Sequence, residues 1–308
     1  MGTLFALVAF AAGGVLAVQA GANAQLAKAT GSPFTATAMQ LAVGVLVLLV
    51  VTAATGTLGA LAGLPAVPWW HAVGGVASAL YVLSTIVLFP RLGAVVTVGL
   101  FIAGQMFASL VLDALGQLGV PLRPLGPWEI VGAAAVLGGA SAIVVGQSTR
   151  QGVRGALARP GLVVFALLAG AALPLQGAVN ALLRGDLQAV FPVGVVSFVV
   201  ATATMATALP VAAHFAGTPP LKLNELRTMP WWGWLGGFAG ATYVTTVFTA
   251  IPVVGASAVV ALTVAGQQLA SVLVDRFGLL GFPRRGVSKL RLAGVFALLV
   301  GVGLIQLL

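Results

Sequence analysis

Residues 16–27 read LAVQAGANAQLA and residues 173–184 read LPLQGAVNALLR, so Gln19 and Asn23 recur as Gln176 and Asn180, 157 positions later. Alone, the first stretch resembles a secretory leader, with an apolar run ending at Ala22-Asn23-Ala24, a small-residue cleavage pattern. A leader would not recur in mid-chain, and no basic residue precedes Phe5. The alternative is that each Gln-x-x-x-Asn pair is a polar feature of a transmembrane helix, its two carboxamides one turn apart on one face.

The repetition extends well beyond this pair. PWWHAVGGVASALYV recurs as PWWGWLGGFAGATYV, and GQMFASLVLDALGQLGVP as GQQLASVLVDRFGLLGFP. Residues 68–121 align without a gap to 230–283, with 24 identities in 54 positions. The chain therefore reads as a tandem duplication, with one repeat over 1–149, a linker over 150–160 and a second repeat over 161–308.

Composition sets the class. Of 308 residues, 60% are hydrophobic and only 6% charged, with a mean hydropathy of +1.13. Such a chain cannot keep a globular surface wet; it is an all-α polytopic membrane protein. The net charge of +9 would suggest nucleic acid in a soluble chain. Here the basic residues fall in short connections, where they set orientation, and no nucleic-acid partner is expected. The absence of cysteine removes disulfides and thiolate chemistry. With only His71 and His214 as histidines, neither a metal site nor a cofactor is expected.

Apolar runs long enough for about 30 Å of hydrocarbon lie near 3–27, 34–55, 69–89, 92–115, 127–147, 161–183, 191–215, 231–250, 253–276 and 289–308. The expectation is ten helices, five per repeat, separated by connections rich in Gly, Pro and charge. An odd number per repeat makes the second copy enter from the opposite side, giving inverted repeats. Connections after odd-numbered helices carry Lys28, Arg91, Arg150, Arg154, Arg159, Lys222, Arg227, Arg276, Arg284, Arg285, Lys289 and Arg291; the others carry only Arg123 and Arg184. The charge-rich side is then cytoplasmic, the 150–160 linker lies there, and both termini are expected outside.

Each half thus has Gln-x-x-x-Asn in its first helix, Pro-Trp-Trp before its third, and Gly-Gln then Ser-x-x-x-Asp-x-x-Gly in its fourth. This pattern resembles the YdcZ-type branch of the drug/metabolite transporter superfamily, over essentially the whole chain. The resemblance implies two antiparallel five-helix halves in a bacterial inner membrane and export of small molecules. The first helix is also similar to that of small multidrug-resistance proteins, but their membrane-embedded glutamate is absent. Gln19 and Gln176 are the polar residues nearby.

Gln19, Asn23, Gln176 and Asn180 read either as helix-to-helix glue, worth about 0.6–2 kcal/mol per bond, or as part of a substrate pathway. Their recurrence favours the pathway. Pro174 removes the hydrogen bond to the Gly170 carbonyl and frees backbone groups beside Gln176. Gln105, Ser109 and Asp113 recur as Gln267, Ser271 and Asp275 on one face of the fourth helix. The two glutamines are candidates for the pathway. Asp113 and Asp275, near helix ends, are candidates for ion coupling or for structural ion pairing, Asp275 with the neighbouring Arg276. Tyr81 and Tyr243, mid-span in the third helices, offer a ring and a hydroxyl to a ligand. Trp69, Trp70, Trp231 and Trp232 read as interfacial belts. Gly13, Ala17 and Gly21, with Gly233, Gly237 and Ala241, form small-residue stripes for close helix packing.

Five acidic residues, none in mid-helix beside a histidine, and no Gly-rich Lys-Ser/Thr loop argue against an enzyme or an ATPase. A secondary transporter is the expectation, with the lipid bilayer and a small-molecule substrate as partners. One chain suffices for a site, and a homodimer is compatible with it. Carboxamides without fixed charge suit a neutral or zwitterionic solute. The rival readings are a proton-coupled exporter of cationic or amphipathic compounds, and a channel or structural subunit.

Overall fold

The computed structural model describes residues 2–147, 150–216, 223–281, 284 and 286–306; Lys222 and Arg285 of the charge pattern lie outside them. Every regular element among the described residues is helical. In chain order these are α1 (Gly2–Thr30), α2 (Pro33–Ala54), α3 (Gly75–Leu92), α4 (Ala94–Leu115), α5 (Pro127–Gln147), α6 (Arg150–Leu157), α7 (Pro160–Leu187), α8 (Phe191–Ala216), α9 (Leu223–Thr228), α10 (Leu235–Val254), α11 (Ala256–Phe277) and α12 (Lys289–Gln306), with short 3₁₀ segments at Leu58–Ala66, Trp69–Gly74, Trp231–Trp234 and Leu279–Gly281.

Among the described residues, nine segments are long and apolar enough to cross a bilayer: α1–α5, α7, α8, α10 and α11, with α3 and α10 each extended by the preceding 3₁₀ turn. At the expected tenth position lies α12, an 18-residue helix packed along α5. Three expectations shift. The Pro-Trp-Trp stretches form 3₁₀ turns before α3 and α10 rather than α-helix. The linker contains its own short helix, α6. The helix expected to start at 253 starts after Gly255, at Ala256.

Local chemistry sets these boundaries. Ser32 caps α2, its hydroxyl accepting from Thr35 N–H at 3.3 Å, with Pro33 at the first helical position. Breaks recur in matched places. Gly93 (φ 81°) separates α3 from α4 and Gly255 (φ 89°) separates α10 from α11; Gly116 and Gly278 end α4 and α11 in the left-handed region. Arginines bind the carbonyls at the ends of α3 and α10. Arg91 donates to Val87 O and Arg159 to Arg91 O, while Arg184 donates to Thr249 O and Arg123 to Val253 O. Val87 and Arg91 align with Thr249 and Val253, so equivalent carbonyls are served by non-equivalent arginines.

The packing interleaves the two sequence halves. Helix α1 lies on α10 and α11, and α7 lies on α3 and α4; α2 meets α8 and α10, and α8 meets α3. Glycine makes these crossings close. A Cβ on Gly13 would overlap the Thr263 carbonyl and one on Gly266 the Phe10 carbonyl; a Cβ on Gly104 would overlap the Leu167 carbonyl and one on Gly170 the Phe101 carbonyl. Gly75 is pressed on the Ser197 carbonyl, and a Cβ on Gly237 would lie 2.5 Å from the Gln40 carbonyl. In the α5–α12 pair, Cβ atoms on Gly132 and Gly301 would lie 2.8 and 2.6 Å from each other's carbonyl oxygens. Pro174 sits inside an unbroken α7.

Gly266→Val and Gly104→Val are therefore expected to lower stability by about 1–3 kcal/mol or more through overpacking. Gly138→Ala, with nothing within 4 Å of the added carbon, should be neutral or stabilising by up to about 1 kcal/mol. Thermal unfolding of the purified variants in detergent checks both directions.

Candidate functional site

The interleaving places each Gln-x-x-x-Asn pair against helices of the other half. Gln176 and Asn180 on α7 are buried, with 4% and 0% of their surfaces exposed. The Gln176 Oε1 accepts from the Ser78 hydroxyl of α3 at 2.9 Å, and its Nε2 donates to Ser197 Oγ of α8 at 3.3 Å. Asn180 Nδ2 donates to the same Ser197 oxygen at 3.0 Å. Its Oδ1 is pressed against Gly74, where any side chain would collide. A carboxamide oxygen on a glycine Cα is the geometry of a weak C–H···O contact.

The counterpart on α1 uses different partners. Asn23 Oδ1 is pressed against Gly236, as Asn180 is against Gly74. At the place of Ser197 stands Gln40, 3% exposed, whose Nε2 makes a long contact of 3.4 Å to Gly236 O. At the place of Ser78 stands Gly240, and the amide nitrogens of Gln19 and Gln40 converge on the space its missing side chain leaves. Asn23 Oδ1, its counterpart Asn180 Oδ1 and Gln40 Oε1 are buried without a hydrogen-bond partner.

The other expected residues divide. Gln105 is buried and Gln267 partly so, in equivalent places on α4 and α11. Tyr81 packs on the Phe101 ring, centroids 4.8 Å apart. Tyr243 is buried against Thr263, which aligns with Phe101. The aspartates lie away from these clusters. Asp113, 2% exposed, accepts the Ala256 and Ser257 N–H groups, each at 2.7 Å, and so caps α11 in place of a local N-cap side chain. Asp275 does not pair with Arg276, as its sequence neighbour suggested; its Oδ2 lies 2.7 Å from Nη1 of Arg291 on α12, which also donates to Ser271 Oγ. Adjacent residues on a helix point about 100° apart, whereas α12 brings Arg291 directly over the carboxylate.

Sequence reasoning missed several polar residues here. Gln40 carried a readable signal: a carboxamide in an apolar span, aligned with Ser197 at the same 157-residue offset as the Gln–Asn pairs. His71 and Asp186 hydrogen-bond to each other across the two halves, although 115 residues separate them. No pattern in the sequence announces that contact. A cavity of about 320 Å³, lined by Gln25, Lys28, Ala29, Glu225, Thr228, Met229 and Pro230, opens beside the end of α1. Ala29 and Pro230 align with Asp186 and Pro68, so this cavity lies where the His71–Asp186 contact stands in the other copy.

With this geometry in view, comparison with known proteins is decisive on the family. Residues 4–142 and 161–304 match the family described as "Putative inner membrane exporter, YdcZ". The chain belongs to the YdcZ family. It is 36% identical over 75 residues to the Inner membrane protein YdcZ of Escherichia coli (strain K12), an alignment covering 24% of the chain and 49% of that relative. The chain thus spans about half the length of this relative. A crystal structure described only as "Crystal structure of protein" superposes with a TM-score of 0.66 over 99% of the chain and 96% of its own, at 18% identity, and is similar in fold. As a YdcZ-family member with multiple apolar helices, the protein is a multi-pass protein of the inner membrane.

Asp113→Ala should lower stability by about 1–3 kcal/mol, because two buried backbone donors lose their acceptor. Asp275→Asn should be destabilising, and Arg291→Met added to it should restore part of the loss, since a buried unpaired guanidinium is worse than none. Melting temperatures of the three variants check the structural reading of both aspartates.

Proposed function

We propose that this protein is a secondary transporter that exports a small polar, neutral or zwitterionic metabolite by alternating access. The observation that carries the reading is that paired carboxamides on α1 and α7, in apolar helices, face helices of the opposite half. The fuller picture is ten spans, the repeats 1–149 and 161–308 inverted across the membrane, and both termini outside. The family description supports export. Reciprocal packing of α1 on α10 and α11, and of α7 on α3 and α4, supports an inverted pair.

The moving bodies in this reading are not the sequence halves. They are two mixed bundles, α1 with α10 and α11, and α7 with α3 and α4, because glycine crossings tie α1 to α11 and α7 to α4 backbone to backbone, while α10 and α3 pack along α1 and α7. Packed cores deform as discrete alternatives rather than continuously, so the bundles would rock about their shared contacts. In the orientation proposed, the His71–Asp186 contact lies at the outer face, and the cavity beside Lys28 and Glu225 opens to the cytoplasm. That is the arrangement of a carrier open inward.

Transport is tested by counterflow in proteoliposomes. Saturable exchange is expected, and Gln19→Ala and Gln176→Ala should each reduce it several-fold while the proteins still fold; normal exchange by both stable variants would leave these residues as packing glue. Linear, unsaturable flux would instead identify a channel. Orientation is tested in intact cells, and the absence of native cysteine simplifies the labelling. Gly59→Cys and Leu122→Cys should react with an impermeant thiol reagent, while Gly155→Cys and Gly286→Cys should be protected. Labelling with the two groups exchanged would reverse the topology.

A further inference from the structure

The two quasi-equivalent polar clusters differ in how completely they satisfy themselves. In the α7 cluster both ends of the Gln176 amide are bonded, by Ser78 and Ser197, and the Asn180 Nδ2 is bonded as well; Asn180 Oδ1, like its counterpart Asn23 Oδ1, is a buried acceptor without a partner. In the α1 cluster Ser78 is replaced by Gly240 and Ser197 by Gln40. Among the described residues no hydrogen bond holds the Gln19 carboxamide, and Gln40 Oε1 joins Asn23 Oδ1 as a second buried acceptor with no partner. An unpaired buried polar group costs about 1–3 kcal/mol. The excess over the α7 cluster is therefore Gln40 Oε1, on a residue only 3% exposed, together with the unheld Gln19 amide, and a group that arrives from elsewhere would satisfy both.

We propose that the α1 cluster alone is the ligand site, with Gln40 as a specificity-determining residue, and that the α7 cluster, whose Gln176 amide is bonded at both ends, is a strut. This inference rests on the carrier reading above and assigns its substrate class. Unpaired carbonyl-type oxygens require donors, so the ligand presents N–H or O–H groups, as a primary ammonium or a hydroxyl does. The Gln19 and Gln40 amide nitrogens and the Phe198 ring edge converge on the position that a Gly240 side chain would take, Gln19 Nε2 within 2.9 Å of it, so a small solute enters by displacing the flexible end of Gln19. Those nitrogens are suited to its acceptors. With no formal charge among these side chains, a zwitterion or a neutral molecule is favoured over a bare ion. A zwitterion whose nitrogen is fully methylated has no donor to give and is rejected.

Gly240→Ser supplies the missing strut. The added carbon would meet the end of the flexible Gln19 side chain at 2.9 Å rather than any backbone atom, and the new hydroxyl can bond Gln19 as Ser78 bonds Gln176. The experiment uses the full-length protein in detergent, with L-serine and glycine betaine at equal concentration as probes. Both are zwitterions, and only L-serine carries donors. L-Serine should raise the wild-type melting temperature and glycine betaine should not. Gln40→Leu should raise the melting temperature of the ligand-free protein by a few degrees and abolish the serine shift. Gly240→Ser should retain the fold and lose the same shift, whereas Gln176→Leu should lower the ligand-free melting temperature.

A fall in melting temperature for Gln40→Leu as large as for Gln176→Leu would overturn the assignment, making Gln40 another strut. If Gln40→Leu fails to fold, Gly240→Ser decides: an undiminished serine shift overturns the proposal. Equal shifts by the two probes would also overturn it. No serine shift in a wild type that still shows saturable, Gln19-dependent counterflow would overturn the ligand class and leave the carrier intact. Absence of saturable counterflow for any solute would remove the carrier reading as well.

Discussion

Backbone-to-backbone contact at glycine is the interaction on which the rest of this structure depends. Lipid tails are as apolar as the helix surfaces, so burying apolar side chains does not by itself drive helices together; close van der Waals packing must. Gly13 with Gly266, and Gly104 with Gly170, bring α1 to α11 and α4 to α7 until a single Cβ would overlap a carbonyl. Gly75 on α8, Gly237 on α2, and the glycine pairs of α5 and α12 repeat the device. Because each of these contacts joins an element of one repeat to an element of the other, the same constraint that holds the bundle together also interleaves its halves.

Close approach in turn determines which polar groups can be tolerated. With α7 tight against α3 and α4, Gln176 and Asn180 are buried, and Ser78 and Ser197 complete their bonding except at Asn180 Oδ1. With α1 tight against α10 and α11, Gln19, Asn23 and Gln40 sit in an equivalent place without such completion. The two copies differ here at Ser78 against Gly240 and Ser197 against Gln40, and those positions decide whether the glutamine amide is bonded at both ends, as in Gln176, or held by no hydrogen bond among the described residues, as in Gln19. The ends of the bundle diverge likewise. His71 and Asp186 are bonded in one copy; their counterparts are Gly233 and Ala29, which cannot pair, and a cavity opens nearby.

The aspartates illustrate how position in the fold revises chemistry suggested by spacing. Asp113 and Asp275 occupy the same repeat position, and both lie in membrane helices, where an acid is a functional candidate by default. One caps α11 through two backbone N–H groups, and the other pairs with Arg291. Each has a structural partner contributed by a distant element, and the two partners differ because the aligned residue of Arg291 is Glu129.

Much of the architecture was legible in the sequence because its causes are local or periodic. Long apolar runs fix the spans, and the duplication from Gln19–Asn23 to Gln176–Asn180 is a comparison of the chain with itself; the breaks at Gly93 and Gly255 fell just inside the expected helices 92–115 and 253–276. The carboxamides of the site were visible for the same reason: a polar residue stands out in a span that must satisfy its own backbone. What remained hidden depended on pairs of residues far apart in the chain. That Arg291 rather than Arg276 meets Asp275, that His71 meets Asp186, and that Gln40 lies beside Gln19 follow from which helices cross and at what distance. Helical periodicity gives the direction of a side chain relative to its own axis, but not the neighbour toward which that axis is turned; only the glycine-mediated crossings of the folded bundle decide that.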